Sequence, residues 1–148
     1  MRMIFGIFPL LAIPVIIYNL MAFAFGGHNG QTMAQSLTAP IWTISMVAPG
    51  SQWAISSCDL LVIVSLGFFF IEILKSTSTG TASIANHGVS MLVFIAALVE
   101  FLLLKNFSTS AFFILTVMCL LDVLAGVVVT IISARRDFTS TDTITRTN

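Results

Sequence analysis

Residues 111–133 read AFFILTVMCLLDVLAGVVVTIIS, an apolar run interrupted by a single charged side chain, that of Asp122. A helix needs about twenty mostly apolar residues to cross the hydrocarbon core of a bilayer, so this stretch predicts a transmembrane helix. Three further runs of the same kind cover approximately residues 3–25, 53–74 and 84–104. Short polar connections separate the last three runs, which favours antiparallel neighbours. The sequence therefore predicts an all-α polytopic membrane protein with four transmembrane helices in an up-and-down bundle.

The composition of the whole chain agrees with that fold and excludes several classes of function. Of the 148 residues, 57% are hydrophobic and only 8% are charged, whereas a soluble domain carries about 25% charged residues. The six basic and six acidic residues cancel, which leaves no basic excess to attract nucleic acid. The sequence offers no Ser/His/Asp set, metal-ligand spacing or phosphate-binding glycine loop, so we expect neither an enzyme nor a metal site.

The positions of the basic residues predict the orientation in the membrane. With the N-terminus in the cytoplasm, five of the six basic residues lie on the cytoplasmic side and one, Lys105, lies outside. The five are Arg2, Lys75, Arg135, Arg136 and Arg146. Because an excess of basic residues marks cytoplasmic loops, we expect both termini on the cytoplasmic side. Residues 1–134 then form the membrane domain, and residues 135–148 form a polar tail, expected to be disordered unless a partner protein holds it.

The loop 26–52, predicted to lie outside, contains no Lys, Arg, Asp or Glu. Trp42 and Trp53 are amphipathic side chains of the kind that lie at the headgroup level. We interpret them as membrane-interface anchors, with the loop lying on the membrane surface. The alternative is a docking face for a neighbouring protein.

Three acidic residues lie within the predicted spans at depths that offer no clear basic partner: Asp59, Glu100 and Asp122. A charged group at the bilayer centre is costly, so intramembrane acids are functional candidates. We expect these carboxyls to be neutralised by proton uptake or by hydrogen bonds to adjoining helices. Asp122 in particular is expected to be protonated and to donate a hydrogen bond. The alternative role of the three residues is a proton or cation path.

Glu72, Lys75 and His87 form a second predicted group of polar side chains, near the cytoplasmic surface. About two helical turns separate this group from Asp122, with no obvious residue between them to continue a proton relay. This gap favours interhelical hydrogen bonding over a proton path. An alternative role of His87 is to ligate a chlorophyll-type pigment. A hydrogen-bonded or surface histidine is the simpler interpretation.

The first predicted span contains two prolines, Pro9 and Pro14. Proline lacks the backbone N–H that would bond to the carbonyl four residues earlier, which for Pro14 is the carbonyl of Leu10. We therefore expect this helix to bend at the prolines.

From Asp59 onward, the sequence resembles a family of small four-span bacterial membrane proteins for which no activity is known. The resemblance depends on four short stretches. They are Glu72-Ile-Leu-Lys75, Leu98-Val-Glu-Phe-Leu102, Leu121-Asp-Val-Leu-Ala-Gly126 and Arg135-Arg-Asp-Phe138. The resemblance implies the four-span topology and a location in a bacterial inner membrane, and it implies nothing about mechanism.

Three functions are compatible with these features. The leading hypothesis is a non-catalytic accessory or structural subunit that packs against a larger bacterial membrane complex. The first alternative is a small proton- or cation-coupled carrier, forming a homo-oligomer, that uses the intramembrane carboxyls. The second alternative is a pigment- or cofactor-binding subunit of the antenna type. We expect bound lipid, no other cofactor and no nucleic acid.

Overall fold

The computed structural model describes residues 8–25, 32–76 and 81–145. The fold is mostly helical, with 76% helix in five helices, and the all-α class fits. The helices are α1 Ala12–Phe25, α2 Met33–Thr38, α3 Ser57–Ser76, α4 Thr81–Leu103 and α5 Ser110–Thr145. A two-stranded antiparallel hairpin of β1 Pro40–Ser45 and β2 Gln52–Ser56 lies between α2 and α3.

Within the described residues, three helices are long and apolar enough to cross a membrane. Their membrane-length segments are Ser57–Lys75 in α3, Ile84–Leu103 in α4 and Ser110–Ile132 in α5. The predicted first span, residues 3–25, corresponds in its described part to α1, which has 14 residues. This is shorter than the approximately twenty residues that a crossing needs, and residues 3–7 lie outside the described part of the chain. The structure therefore supports a membrane protein with three long apolar helices.

α5 is the central helix of the bundle. It packs along both α3 and α4, which contact each other at few positions. In the membrane-length segments, 44% of α5 is buried inside the chain, against 17% of α3 and 17% of α4. α3 and α4 therefore present most of their apolar side chains outward. We refer to the two ends of the bundle by their lysines: α3 ends and α4 begins at the Lys75 end, and α4 ends and α5 begins at the Lys105 end.

An aromatic cluster closes the Lys105 end. The rings of Tyr18 and Phe112 lie 4.6 Å apart, and Phe107 lies 5.5 Å from Tyr18 and 4.9 Å from Phe112. All three side chains are buried. They join α1, the turn Lys105–Phe107 and the first turn of α5 into one apolar core, since such ring pairs add to the energy of area burial.

The predicted loop 26–52 contains regular structure over much of its described part. α2 begins with a capping box, in which Thr32 and Gln35 satisfy each other's backbone N–H groups. Trp53, predicted to begin the second span, lies instead in β2, and the spanning helix begins at Ser57. The prediction missed this boundary because an apolar strand and an apolar helix have similar hydropathy. They differ only in the spacing at which side chains return to the same face.

A tight turn connects the two strands. The Ser51 N–H donates to the Ala48 carbonyl at 3.1 Å, and Gly50, the third residue of this turn, has a φ of 78°. Pro49 followed by a glycine at positive φ is typical of a type II turn. The Pro49-Gly50 dipeptide is thus a local hairpin signal that the interpretation as an irregular loop overlooked.

The position of α1 corrects the predicted effect of the two prolines. Pro9 precedes the helix, which begins at Ala12, and Pro14 lies in the first turn, where backbone N–H groups have no partner within the helix in any case. The Leu10 carbonyl, expected to lose its donor, accepts a hydrogen bond from the Ile13 N–H at 3.1 Å. In the described residues, Pro9 and Pro14 therefore mark the start of a helix and do not bend one.

α5 extends well beyond the predicted fourth span. It continues to Thr145, so residues 135–145 of the predicted disordered tail are helical, and residues 146–148 lie outside the described part. Extending an existing helix avoids the unfavourable nucleation step, which explains why a polar sequence continues the span. The 36 residues of α5 correspond to about 54 Å, longer than the approximately 30 Å of hydrocarbon.

Candidate functional site

A group of buried polar side chains lies at the Lys75 end of the bundle. Glu72 of α3 is fully buried. One of its oxygens accepts a hydrogen bond from Asn86 Nδ2 of α4 at 2.6 Å, and the other accepts one from the Leu10 N–H at 2.8 Å. Lys75 Nζ lies 3.1 Å from Glu72 Oε1. We call Glu72, Lys75 and Asn86, with the backbone of Phe8 and Leu10, the Glu72 cluster.

Lys75 completes the cluster with bonds to two further groups. Its ammonium group donates to the Phe8 carbonyl at 2.6 Å and to Asn86 Oδ1 at 3.1 Å. The Asn86 amide therefore bridges the acid and the base, since its nitrogen donates to Glu72 and its oxygen accepts from Lys75. Glu72 and Lys75 can cooperate because residues three apart share one face of a helix. The cluster joins α3, α4 and the segment before α1 through compensated charges.

Asp122 of α5 lies next to this cluster and is itself buried, with 4% of its surface exposed. Its carboxyl faces the hydroxyl of Ser90 and is within electrostatic range of Glu72, Lys75 and His87. The Ser90 oxygen is buried and makes no hydrogen bond of ordinary geometry with any residue that the structure describes.

His87 reaches this site because Gly126 leaves room for its ring. A methyl group at position 126 would lie 2.8 Å from His87 Cε1 and 2.9 Å from Cγ, which is well inside the contact distance of two carbon atoms. The imidazole therefore packs directly on the backbone of α5, one turn from Asp122. This contact with α5 covers one side of the imidazole ring. Among the described residues, the structure adds no feature that favours a chlorophyll-type pigment at His87.

The structure thus differs from the prediction of two separate polar groups, one containing Asp122 and the other containing Glu72, Lys75 and His87. Asp122 was expected to lie about two turns from Glu72, Lys75 and His87, without a basic partner. The structure instead brings all four within electrostatic range. Depth along single helices cannot reveal this proximity, because it depends on how far α3, α4 and α5 are shifted relative to one another.

Glu100 belongs to a separate contact nearer the Lys105 end. Its Oε2 accepts a hydrogen bond from Asn19 Nδ2 of α1 at 3.0 Å, and the same nitrogen donates to the Val15 carbonyl. The Tyr18 hydroxyl bonds to Thr109 Oγ1 at 2.5 Å. α1 is therefore held to α4 and to the start of α5 by polar contacts within a mainly apolar interface.

Asp59 has neither of its predicted roles, because its carboxylate bonds to its own helix terminus. Asp59 Oδ2 accepts from the Ser56 N–H at 2.9 Å and from Ser56 Oγ at 2.6 Å, and the Asp59 N–H donates to Ser56 Oγ at 3.3 Å. This reciprocal pattern is a capping box with Ser56 at the N-cap. An acidic group in the first turn also interacts favourably with the helix dipole. The interpretation of Asp59 as an interhelical contact or proton-path residue is corrected.

Trp42 and Trp53 lie on the hairpin, with 71% and 46% of their surfaces exposed. Trp42 pairs with Ile55, and Ile44 pairs with Trp53. Because paired residues and residues two apart point to the same face of a hairpin, the four side chains form one surface. We call it the apolar hairpin face. The two predicted interface residues, Trp42 and Trp53, therefore belong to one surface.

The chemistry available at these sites is hydrogen bonding, charge compensation and proton binding. In residues 8–25, 32–76 and 81–145, no three His, Cys, Asp or Glu side chains are grouped in a way that would hold a metal ion. The Glu72–Lys75 pair is compensated internally. Asp122 and His87, by contrast, are two titratable groups placed near one another beside the Ser90 hydroxyl.

Sequence reasoning missed Asn86, Ser90 and Tyr18. Each is a polar side chain within an apolar helix, and that alone was the signal available. Membrane helices use such residues for contacts between helices, but the partner of each depends on the rotation of the helix about its axis. The Ser56–Asp59 capping box, in contrast, is readable from the spacing of the two residues.

No family model, curated protein sequence or solved structure significantly matches this chain. The resemblance to small four-span bacterial membrane proteins therefore stays a prediction.

Proposed function

We propose that the protein is a non-catalytic subunit of a larger bacterial membrane complex, against which its outer helix faces pack. The observation that carries this proposal is the internal bonding of three of its carboxyls. The buried Glu72 is bonded to three donors, and the part-buried Glu100 is bonded to Asn19. Asp59 caps its own helix. We assign these carboxyls to folding, since hydrogen bonds of polar side chains hold membrane helices together and a capping box holds the start of a helix.

The proposed topology has four crossings with both termini in the cytoplasm. Two features support α1 as part of the first crossing, which adds to the three long helices. Phe8 and Leu10 bond to the Glu72 cluster at the Lys75 end, while Tyr18 bonds to the Asn106 carbonyl at the Lys105 end. The chain from residue 8 to α1 thus runs between the same two ends as the longer helices. Arg2 and Lys75 would then lie on the cytoplasmic side, as the positive-inside rule expects.

The extension of α5 supports a partner protein. At 1.5 Å per residue, about 24 Å of the approximately 54 Å of this helix exceeds the approximately 30 Å of hydrocarbon. The span removes the cost of nucleation, but propagation of a polar segment in water is only weakly favourable, so its last turns are marginally stable on their own. A partner surface against residues 135–145 would stabilise it, which fits a subunit better than an isolated carrier.

The test is isolation of the full chain from its own membrane in mild detergent, followed by native mass spectrometry. We expect an assembly of constant stoichiometry across preparations. A variant ending at residue 134 is the matched control, and we expect it to bind the partner more weakly. A full chain that runs as a monomer, with a tail cleaved as fast as an unfolded peptide, contradicts the proposal.

A second candidate function is a proton-coupled carrier, and the arrangement of Asp122, Ser90 and His87 favours it. Asp122 is buried near two basic groups and a hydroxyl, an arrangement that can exchange a proton. In vesicles containing a pH-sensitive dye, Asp122→Asn is then expected to abolish a pH-driven flux. Asp59→Asn, which alters only the helix cap, is expected to retain it. Absence of flux from the unmodified protein contradicts the carrier function and leaves the subunit proposal intact.

A further inference from the structure

The hairpin has one apolar and one polar face, which suggests that it lies on a surface. Its apolar face consists of Trp42, Ile44, Trp53 and Ile55, as defined above. The residues that point the other way are Thr43, Ser45, Gln52 and Ala54. Residues 40–56 contain no charged side chain. An exposed face with two tryptophans and no charge is unfavourable in water and favourable at the headgroup level of a bilayer.

The connection to α3 puts the hairpin at the membrane boundary. β2 ends at Ser56 and the membrane-length segment begins at Ser57. That segment, Ser57–Lys75, has 19 residues and is about 28 Å long, close to the approximately 30 Å of the hydrocarbon core. Since α3 has almost no length to spare, its first residue lies at one interface. The hairpin, attached without a linker, must lie at the same depth.

A groove lies directly beneath the hairpin, between α1 and α3. It has a volume of about 290 Å³ and is lined by Ile17 and Met21 of α1, by Leu60 and Val64 of α3, and by Ile41 of β1. The strand pairing shifts register between Pro40 and Trp42, so Ile41 is left out of the ladder, as in a β-bulge. Bulges change the direction in which a side chain points, and here the Ile41 side chain lines the groove with 65% of its surface exposed.

We propose that a membrane phospholipid binds here, with one acyl chain in the groove and its headgroup region against the apolar hairpin face. An acyl chain is the occupant that the chemistry selects, because the lining is apolar and the groove opens from the membrane-facing sides of α1 and α3. Exposed side chains at its rim include Ile17, Leu60 and Val64. This binding site is independent of the proposed partner complex, so either proposal can fail alone.

The two tryptophans of the chain are both on this face, so intrinsic fluorescence reports on the hairpin alone. The full chain is reconstituted into phosphatidylcholine vesicles that contain lipids brominated either near the headgroup or near the chain end. We expect strong quenching by the shallow bromine, weaker quenching by the deep bromine and little quenching by aqueous iodide. Tryptophans that iodide quenches freely and bromine does not would overturn the proposal and would leave the face available to a protein.

A variant with the tryptophan on the opposite face is the matched control for orientation. In a chain with Trp42→Phe and Trp53→Phe, the substitution Gln52→Trp places the only indole on the polar face. We expect it to be open to iodide. Equal protection of Gln52→Trp and of the native tryptophans would overturn the assignment of one face to lipid.

The groove is tested by filling it. Val64→Phe inserts a ring into the groove, whereas Ile63→Phe adds the same group to an exposed position of α3 outside it. With spin-labelled phospholipid, we expect Val64→Phe to remove the motionally restricted component that binds to the native protein, and Ile63→Phe to retain it. Equal retention by both variants, or absence of a restricted component in the native protein, would overturn the acyl-chain site.

Discussion

Replacement of Glu72 by leucine is the most informative single test of how this fold is held together. The substitution keeps a similar volume at a fully buried position and removes the acceptor of three donors. These donors are the Leu10 N–H, Asn86 Nδ2 and Lys75 Nζ. Each of them then lies in a low-dielectric environment without its main partner.

The size of the effect follows from what the donors retain. Breaking a buried ion pair by removing one partner costs about 3–5 kcal/mol. Lys75 keeps the Phe8 carbonyl and Asn86 Oδ1, and 19% of its side chain is exposed, so we expect the free energy of unfolding to fall by about 3 kcal/mol, the lower end of that range. Glu72→Gln keeps one acceptor oxygen and loses the charge, for which we expect a loss of about 1–2 kcal/mol.

Reversible unfolding by SDS in mixed micelles, followed by near-ultraviolet circular dichroism, measures these differences. Glu100→Gln is the control, because its amide oxygen still accepts from Asn19, and we expect a loss of about 0.6 kcal/mol or less. The double variant Glu72→Leu/Lys75→Met should lose less than the sum of its single variants, since both substitutions remove the same Glu72–Lys75 contact. Native-like stability of Glu72→Leu would refute the reasoning, because it would mean that the cluster contributes no net energy.

Three further predictions concern single positions. Gly126→Ala drives a methyl group into the His87 ring, so we expect a loss of about 1–3 kcal/mol in the same assay. The added substitution His87→Ala should restore part of it, and additive losses would contradict the contact. Asp59→Ala removes half of the capping box and should lower the free energy of unfolding in the same assay, with little further loss when Ser56→Ala is added. Gly50→Ala meets no atom within 4 Å but keeps a φ of 78°, so backbone strain alone should cost about 1 kcal/mol. Gly50→Asn should lose less stability than Gly50→Ala. The tryptophan circular dichroism of the hairpin measures both variants.

Local features of this chain are readable from its sequence wherever the interacting residues are close together. The apolar runs predict α3, α4 and α5, because crossing a bilayer requires a length that composition alone reveals. The Ser56–Asp59 capping box and the Pro49-Gly50 turn are likewise fixed by neighbours in the chain. The boundary between β2 and α3 was missed because both segments are apolar.

The amino-acid sequence predicts a helical chain with membrane-length apolar segments and with acids inside them. Which acid meets which donor depends on the packed bundle: Glu72 meets Asn86, Glu100 meets Asn19, and Asp122 lies beside His87. Lipid chains are as apolar as leucine, so hydrophobicity does not determine which face of a spanning helix turns inward. The rotation and shift of each helix are set by the close packing of several helices together, as at Gly126, and such contacts join residues far apart in the sequence.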